Sequence, residues 1–268
     1  MNAVMSTLGS PGRSAGARGF SAPRTTTAQA DTAAARRFLE FLRTPAVGCT
    51  ELRVLRGVCD QKGQIHRGGA LGAPHHGATL AGWYDRVEPL LSESRRLRGI
   101  TGYVTINPVC ADLLARSANS MARVRHTTRD VDVLCLRWLY LDIDPVRPPD
   151  ISSSDAELAA ALARRDAILG DHPELAAAAL WGCSGNGAWI LVRLPDYPND
   201  PPHRELVTTA VHLLASKYSD EAVIIDTATV NPARLISLPG TLKAKGSPVP
   251  PRPWRFVTLD GTGFRALH

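Results

Sequence analysis

Two aspartates, Asp142 and Asp144, stand two residues apart in the run WLYLDIDP. In a strand that spacing puts both carboxylates on one face with Tyr140, while Leu139, Leu141 and Ile143 face a core. Carboxylates so close repel each other unless cations lie between them. A strand end can equally show such acids to water or use them to cap a turn, and a lone DxD does not separate these readings. A third acid, Asp226, closes the apolar run AVIID and is followed by Arg234, Lys243 and Lys245. Asp142, Asp144 and Asp226 can together hold two Mg²⁺ or Mn²⁺ ions about 4 Å apart, which activates a hydroxyl and stabilises a leaving pyrophosphate. The three bases would then face a triphosphate, although each alone also fits a solvated loop. Between the acidic segments, Ser184, Gly185, Asn186 and Gly187 form a turn. Its glycines either let backbone N–H groups approach an anion or simply close a hairpin.

Positioning these residues requires strands that end together. LRWLYLDID, AALWG, AWILVRL, AVIID, RLISL and RFVTL read as strands, as do TELRVLR and GYVTI nearer the N-terminus. Helices are expected in TAAARRFLEFLR behind the cap Asp31, around Trp83 to Leu97, and in the short CADLLARSA after Pro108. Two more are expected from the caps Ser152 to Asp155 through Arg164 to about Leu169, and from Pro201 and Pro202 to Tyr218. Short strands alternating with helices, with hairpins among them, indicate an α/β or α+β sheet domain. Residues 1–29, rich in Ser, Gly, Ala, Thr and Pro, read as a disordered tail ahead of a domain over 30–268.

Composition excludes other classes. The 268 residues are 44% hydrophobic and 21% charged, enough apolar material for a sizeable core. No run approaches the ~18 apolar residues of a membrane span, so the expectation is a soluble, cytoplasmic protein. Five cysteines without a CxxC pair argue for a reducing compartment and against a structural zinc site; Cys49, Cys59, His66, His75 and His76 are too irregularly spaced. The net charge of +6 is uneven: residues 226–268 carry six bases against two acids. A basic C-terminal segment on a near-neutral body suits a local phosphate site better than a surface coated for DNA.

Taken in order, the hDhD segment, the SGNG turn and the strand-end Asp226 followed by NPARL and PGT resemble the archaeo-eukaryotic primase superfamily. The closest likeness is to the primase-polymerase domains of bacterial and archaeal plasmids, phages and integrated elements. TINP before the first motif and RPWR near the end extend the likeness over about residues 30 to 258. The resemblance implies a modified RNA-recognition-like antiparallel sheet with an α/β N-terminal unit. It implies Asp142, Asp144 and Asp226 as catalytic and metal-binding carboxylates, with Ser184, Gly185, Asn186, Gly187 and Arg234 on the nucleotide, joined by Lys243 or Lys245. It further implies single-stranded DNA template, primer and (d)NTPs as partners, with a helicase in cis or trans. Trp189 stands where such proteins place a phosphate-contacting histidine, so it is read either as a neutral contact to nucleotide or as a core tryptophan of AWILVRL. Trp254 likewise stands where relatives often have histidine. An initiator or single-strand-binding module with weakened catalysis is the alternative, and a DxD glycosyltransferase fits Asp226 and its bases less well.

Overall fold

A computed structural model of the chain describes residues 28–68, 77–245 and 249–264. The expected tail falls almost wholly outside them, as do His75 and His76. The chain runs through α1 (Thr32–Leu42), β1 (Thr50–Cys59), β2 (Ile65–Arg67), β3 (Ala78–Tyr84), α2 (Val87–Ser94), β4 (Leu97–Arg98), β5 (Tyr103–Thr105) and β6 (Ala122–Arg123). It continues through β7 (Cys135–Pro145), α3 (Asp155–Asp171), α4 (Pro173–Ala177), β8 (Ala179–Cys183), β9 (Ala188–Pro198) and α5 (Pro201–Tyr218). β10 (Val223–Ile225), β11 (Leu235–Ser237), β12 (Leu242–Lys243), β13 (Arg255–Phe256) and β14 (Thr258–Thr262) close it. The fold is α+β. No helix among the described residues is long and apolar enough to cross a membrane.

Local chemistry explains the elements that matter most. Asp31 caps α1, its Oδ1 accepting from Ala33 N at 2.9 Å and Ala34 N at 3.3 Å. Ser154 and Glu157 form a capping box at the start of α3, and Asp200 caps α5 ahead of its two prolines. The helix expected from Trp83 begins later, at Val87. Trp83 itself lies in β3, because Thr50 to Val54 of β1 pair antiparallel with that strand and override its helical spacing. CADLLARSA forms a 3-10 turn over Ala111–Arg116.

Two sheets carry the architecture. An antiparallel sheet of five strands runs in the order β10-β7-β9-β8-β14, with α3 and α5 packed on one face through Leu139, Leu141, Ile143, Ile190 and Val211. A mixed sheet, mostly of the N-terminal half, holds β11-β5-β1-β2-β4, with β3 joined to β1 and β6 to β3. The other face of the five-stranded sheet meets this second sheet through a core containing Leu52, Val104, Trp138, Tyr140, Leu191 and the α1 residues Phe38 and Leu39. Strand β11 crosses to the second sheet and pairs with β5, so the chain that follows Asp226 bridges the two halves.

Candidate active site

Cross-strand pairing places the acids. Ile225 stands opposite Ile143, and one step further Asp226 N donates to Asp142 O at 2.9 Å. Residues opposite each other on neighbouring strands share a face with Cβ atoms about 5 Å apart, so Asp142 and Asp226 are lateral neighbours. Asp144 lies one period of two along β7, on the same face, opposite Ile224. That face looks toward the mixed sheet, and Leu141 and Ile143 point into the helix-covered core as the alternation requires.

The acids are met by cations. Arg234 Nη2 stands 3.5 Å from Asp226 Oδ2, and Arg147 Nη1 stands 3.4 Å from Asp144 Oδ1. Lys243 donates to Ser237 Oγ at 2.6 Å, and its ammonium lies 5.1 Å from the centre of the Tyr103 ring. Burial and the Asp144 charge push the Asp142 carboxyl up to about 6, with Asp226 adding to the rise and Lys243 and Arg234 opposing it. Burial and the Asp142 charge also hold the Tyr140 phenol well above its ordinary value.

The loop bearing Arg234 is held from several sides. Asn107 donates to Pro232 O at 2.9 Å while its Oδ1 accepts from Arg137 N and Trp138 N at 2.8 and 3.1 Å. Asp130 Oδ1 accepts from Ala233 N at 2.9 Å, and Ile106 N donates to Arg234 O at 3.0 Å. Arg234 keeps one buried donor, Nε, without a partner.

The glycine turn lies inside the fold. Ser184, Gly185, Asn186 and Gly187 are all buried. Their backbone is largely spent internally: Ser184 N donates to Gly187 O at 2.8 Å, Gly187 N to Ser184 Oγ at 3.0 Å and Gly185 N to Cys183 Sγ at 3.2 Å. Close approach is what requires the glycines. A Cβ on Gly187 would collide with Ile143 O and stand 3.0 Å from Asp144 Oδ1, and one on Gly185 would stand 2.5 Å from Lys243 Cβ. Gly185 also adopts φ 89°. The glycines therefore let Asp144 and Lys243 pack closely against the turn. Asn186 accepts from Ser153 N at 3.2 Å and leaves its Nδ2 buried and unpartnered.

Trp189 stands on β9. It is 0% exposed, opposite Asp142 in the register of β7 and β9, and its ring meets Phe38 edge-on at 5.8 Å. Strand periodicity does put it on the acidic face, but α1 covers that part of the face, so the ring belongs to the core between the sheets. Lys245 is separated from Lys243: it is exposed and lines an adjoining groove. Cys49 is buried and donates to Cys110 O, and Cys59 ends β1 in an exposed position. Arg147, Ser237 and Tyr103 were not anticipated. Arg147 follows Asp144 by three residues, a short offset that a search for nearby bases would have met.

The donor set around Asp142 suits a hard divalent cation, being oxygen throughout and crowded enough to raise one carboxyl. Among the described residues no three His, Cys, Asp or Glu side chains already stand as a ligand cage. Asp144 and Asp226 are engaged by Arg147 and Arg234 instead, so cation binding would have to displace these contacts.

A scan against known protein families gives no match, and a search of curated proteins gives none. Among solved structures, the chain is similar to the polymerase domain of Mycobacterium tuberculosis Ligase D, determined in complex with DNA. The identity is 15%, the alignment covers 84% of this chain and 79% of that one, and the TM-score is 0.43.

Proposed function

We propose that this chain is a nucleotidyltransferase of the primase-polymerase type, adding (d)NTPs to a primer or first nucleotide on a single-stranded DNA template. The observation that supports it is the lateral pairing of Asp142 with Asp226, with Asp144 one step along the strand and Arg234 and Lys243 facing them. The ordered motifs noted in the sequence point the same way. Asp142, Asp144 and Asp226 would hold Mg²⁺ or Mn²⁺. When bound, such ions offset the carboxylate charge and polarise a phosphoryl group and an attacking hydroxyl. Arg234 offers its free Nε–H to a phosphate oxygen, and Lys243, steadied by Ser237 and Tyr103, adds a positive charge beside it. No enzyme nucleophile is required, because the attacking hydroxyl belongs to the primer.

One observation favours a second reading, a nucleic-acid-binding module with weakened catalysis on the same fold. Trp189 is wholly buried at the position where the resemblance would expect a phosphate contact. Template-directed extension with Mg²⁺ or Mn²⁺, with and without a primer, decides between them. Incorporation that disappears in Asp226→Ala supports the transferase. A folded wild-type chain that incorporates nothing with either ion rejects it and leaves the binding module.

A further inference from the structure

Beside the acid cluster an open groove of about 510 Å³ is lined by Leu55, Arg56, Arg67, Tyr103, Asp150 and Lys245, with Thr101 in its floor. It is set in the mixed sheet. β1 bulges between Val54 and Gly57, which turns the consecutive residues Leu55 and Arg56 both toward solvent. Arg56 has φ 56°, a left-handed conformation unfavourable for an arginine, and its carbonyl is fixed by Gly68 N at 2.6 Å. At the other wall, Thr101 Oγ1 donates to Leu242 O at 2.8 Å and accepts from Ala244 N at 3.0 Å, which fixes the backbone leading to Lys245.

The chemistry of the lining is specific. The side chains of Arg56 and Lys245 make no hydrogen bond or ion pair among the described residues, and Arg67 stacks 5.5 Å from the Trp254 ring centre. Among the described lining residues Asp150 is the single acid. Three cations against one acid make the groove a local anion site, and Tyr103 and Leu55 add apolar surface that tolerates any base. Tyr103 belongs both to this groove and, through Lys243, to the acid cluster, so the two sites are continuous.

We propose that the groove carries the phosphodiester backbone of one single nucleic-acid strand past the acid cluster, with Arg56 and Lys245 on its phosphates. The choice of strand rests on the proposed transferase reading. Its shared chemistry with a free nucleotide is the phosphate, and the test separates the two.

The full chain is titrated with a fluorescent 20-nucleotide single strand and, separately, with free dATP, between 50 and 200 mM KCl. Each phosphate contact on a single strand contributes about 0.7 to the slope of log K against log salt. Arg56→Gly combined with Lys245→Gln is expected to weaken strand binding on the order of tenfold and to lower the slope by about 1.4. Arg56→Lys is expected to keep the slope. If the double variant melts early, Arg56→Asn alone, which tolerates positive φ, is expected to lower the slope by about 0.7. An unchanged strand affinity and slope in a folded variant overturns the proposal, as does a loss confined to dATP. Failure of the transferase reading shows differently, as absent incorporation by the wild-type chain.

Discussion

The acid cluster and the groove beside it are built from similar charges and treat them in opposite ways. In the cluster each base is answered from within the protein: Arg147 by Asp144, Arg234 by Asp226, and Lys243 by Ser237 and the Tyr103 face. In the groove Arg56 and Lys245 are answered by nothing described. A compensated site must exchange internal partners for incoming ones, so its occupants need high charge density. An uncompensated site gains from any anion of suitable shape, and its binding follows salt. The difference follows from where the backbone ends. β10 ends beside Asp142 of the longer strand β7, while a bulge in the other sheet turns an arginine outward.

The largest effect expected from breaking the comparison is on the compensated side. Asp142→Ala and Asp226→Ala should each lower nucleotide incorporation by on the order of 10³ or more, with the melting temperature held or raised for Asp142→Ala, which removes the carboxyl that burial and Asp144 disfavour as an anion. Extension assays alongside thermal melts check both halves. Wild-type-like extension by either variant would remove that residue from the site.

Next in size is Trp189, which separates core from site within the acidic face. Trp189→Ala should destabilise the protein by about 3–5 kcal/mol, as large core truncations do. Trp189→Phe should cost less and leave nucleotide KM within a few-fold of wild type in the folded fraction. A stable Trp189→Ala with a raised KM would return the ring to the nucleotide.

The acids were legible because strand alternation is a short-range rule. WLYLDIDP fixes which side chains share a face without any knowledge of partners, and the run AVIID ends at Asp226 for the same reason. α1 and α5 were legible from their caps, Asp31 and the Pro201-Pro202 start. What escaped depends on contacts distant in sequence. Arg56 faces outward only because β1 bulges where β3 and the following loop meet it. Trp189 is core only because Phe38, about 150 residues earlier, covers it. The glycine turn gave its conformation away but not its purpose, since the atoms that demand Gly185 and Gly187 belong to Lys243, Ile143 and Asp144. Lys243 and Lys245, equivalent in the sequence, are told apart by the Ser237 and Tyr103 contacts of the first.

A smaller effect concerns protonation. The folded carboxyl of Asp142 lies near 6, above its ordinary value of 3.8, so between those values the folded chain binds more protons than the unfolded one. This group's contribution to stability is therefore complete below about pH 4 and lost as the pH rises through 6. Without divalent ions, Asp142→Asn should melt roughly 3 to 6 °C higher than wild type at pH 7.5, with the gain shrinking toward pH 4. A gain that does not change with pH would assign it to packing instead.

The smallest expected effect, and the most direct test of internal compensation, is at Arg147. It lies three residues after Asp144 and also donates to Ile151 O at 3.2 Å and Pro145 O at 3.3 Å, so it serves both the acid and the turn that follows β7. Its guanidinium sits 3.4 Å from Asp144, a long contact whose net value should be about 1 kcal/mol or less. If Asp144 must exchange this partner for a cation, Arg147→Gln should tighten Mn²⁺ binding by roughly three- to fivefold, which is that energy expressed as an equilibrium ratio. Glutamine keeps donors for the two carbonyls, so the turn is retained and the charge alone is removed. Calorimetric titration with Mn²⁺, using Asp144→Asn as the reference, reads the change. Weaker Mn²⁺ binding in Arg147→Gln would mean that the arginine orients Asp144 for the metal and does not compete with it, and the contrast with the groove would then rest on Arg234 and Lys243.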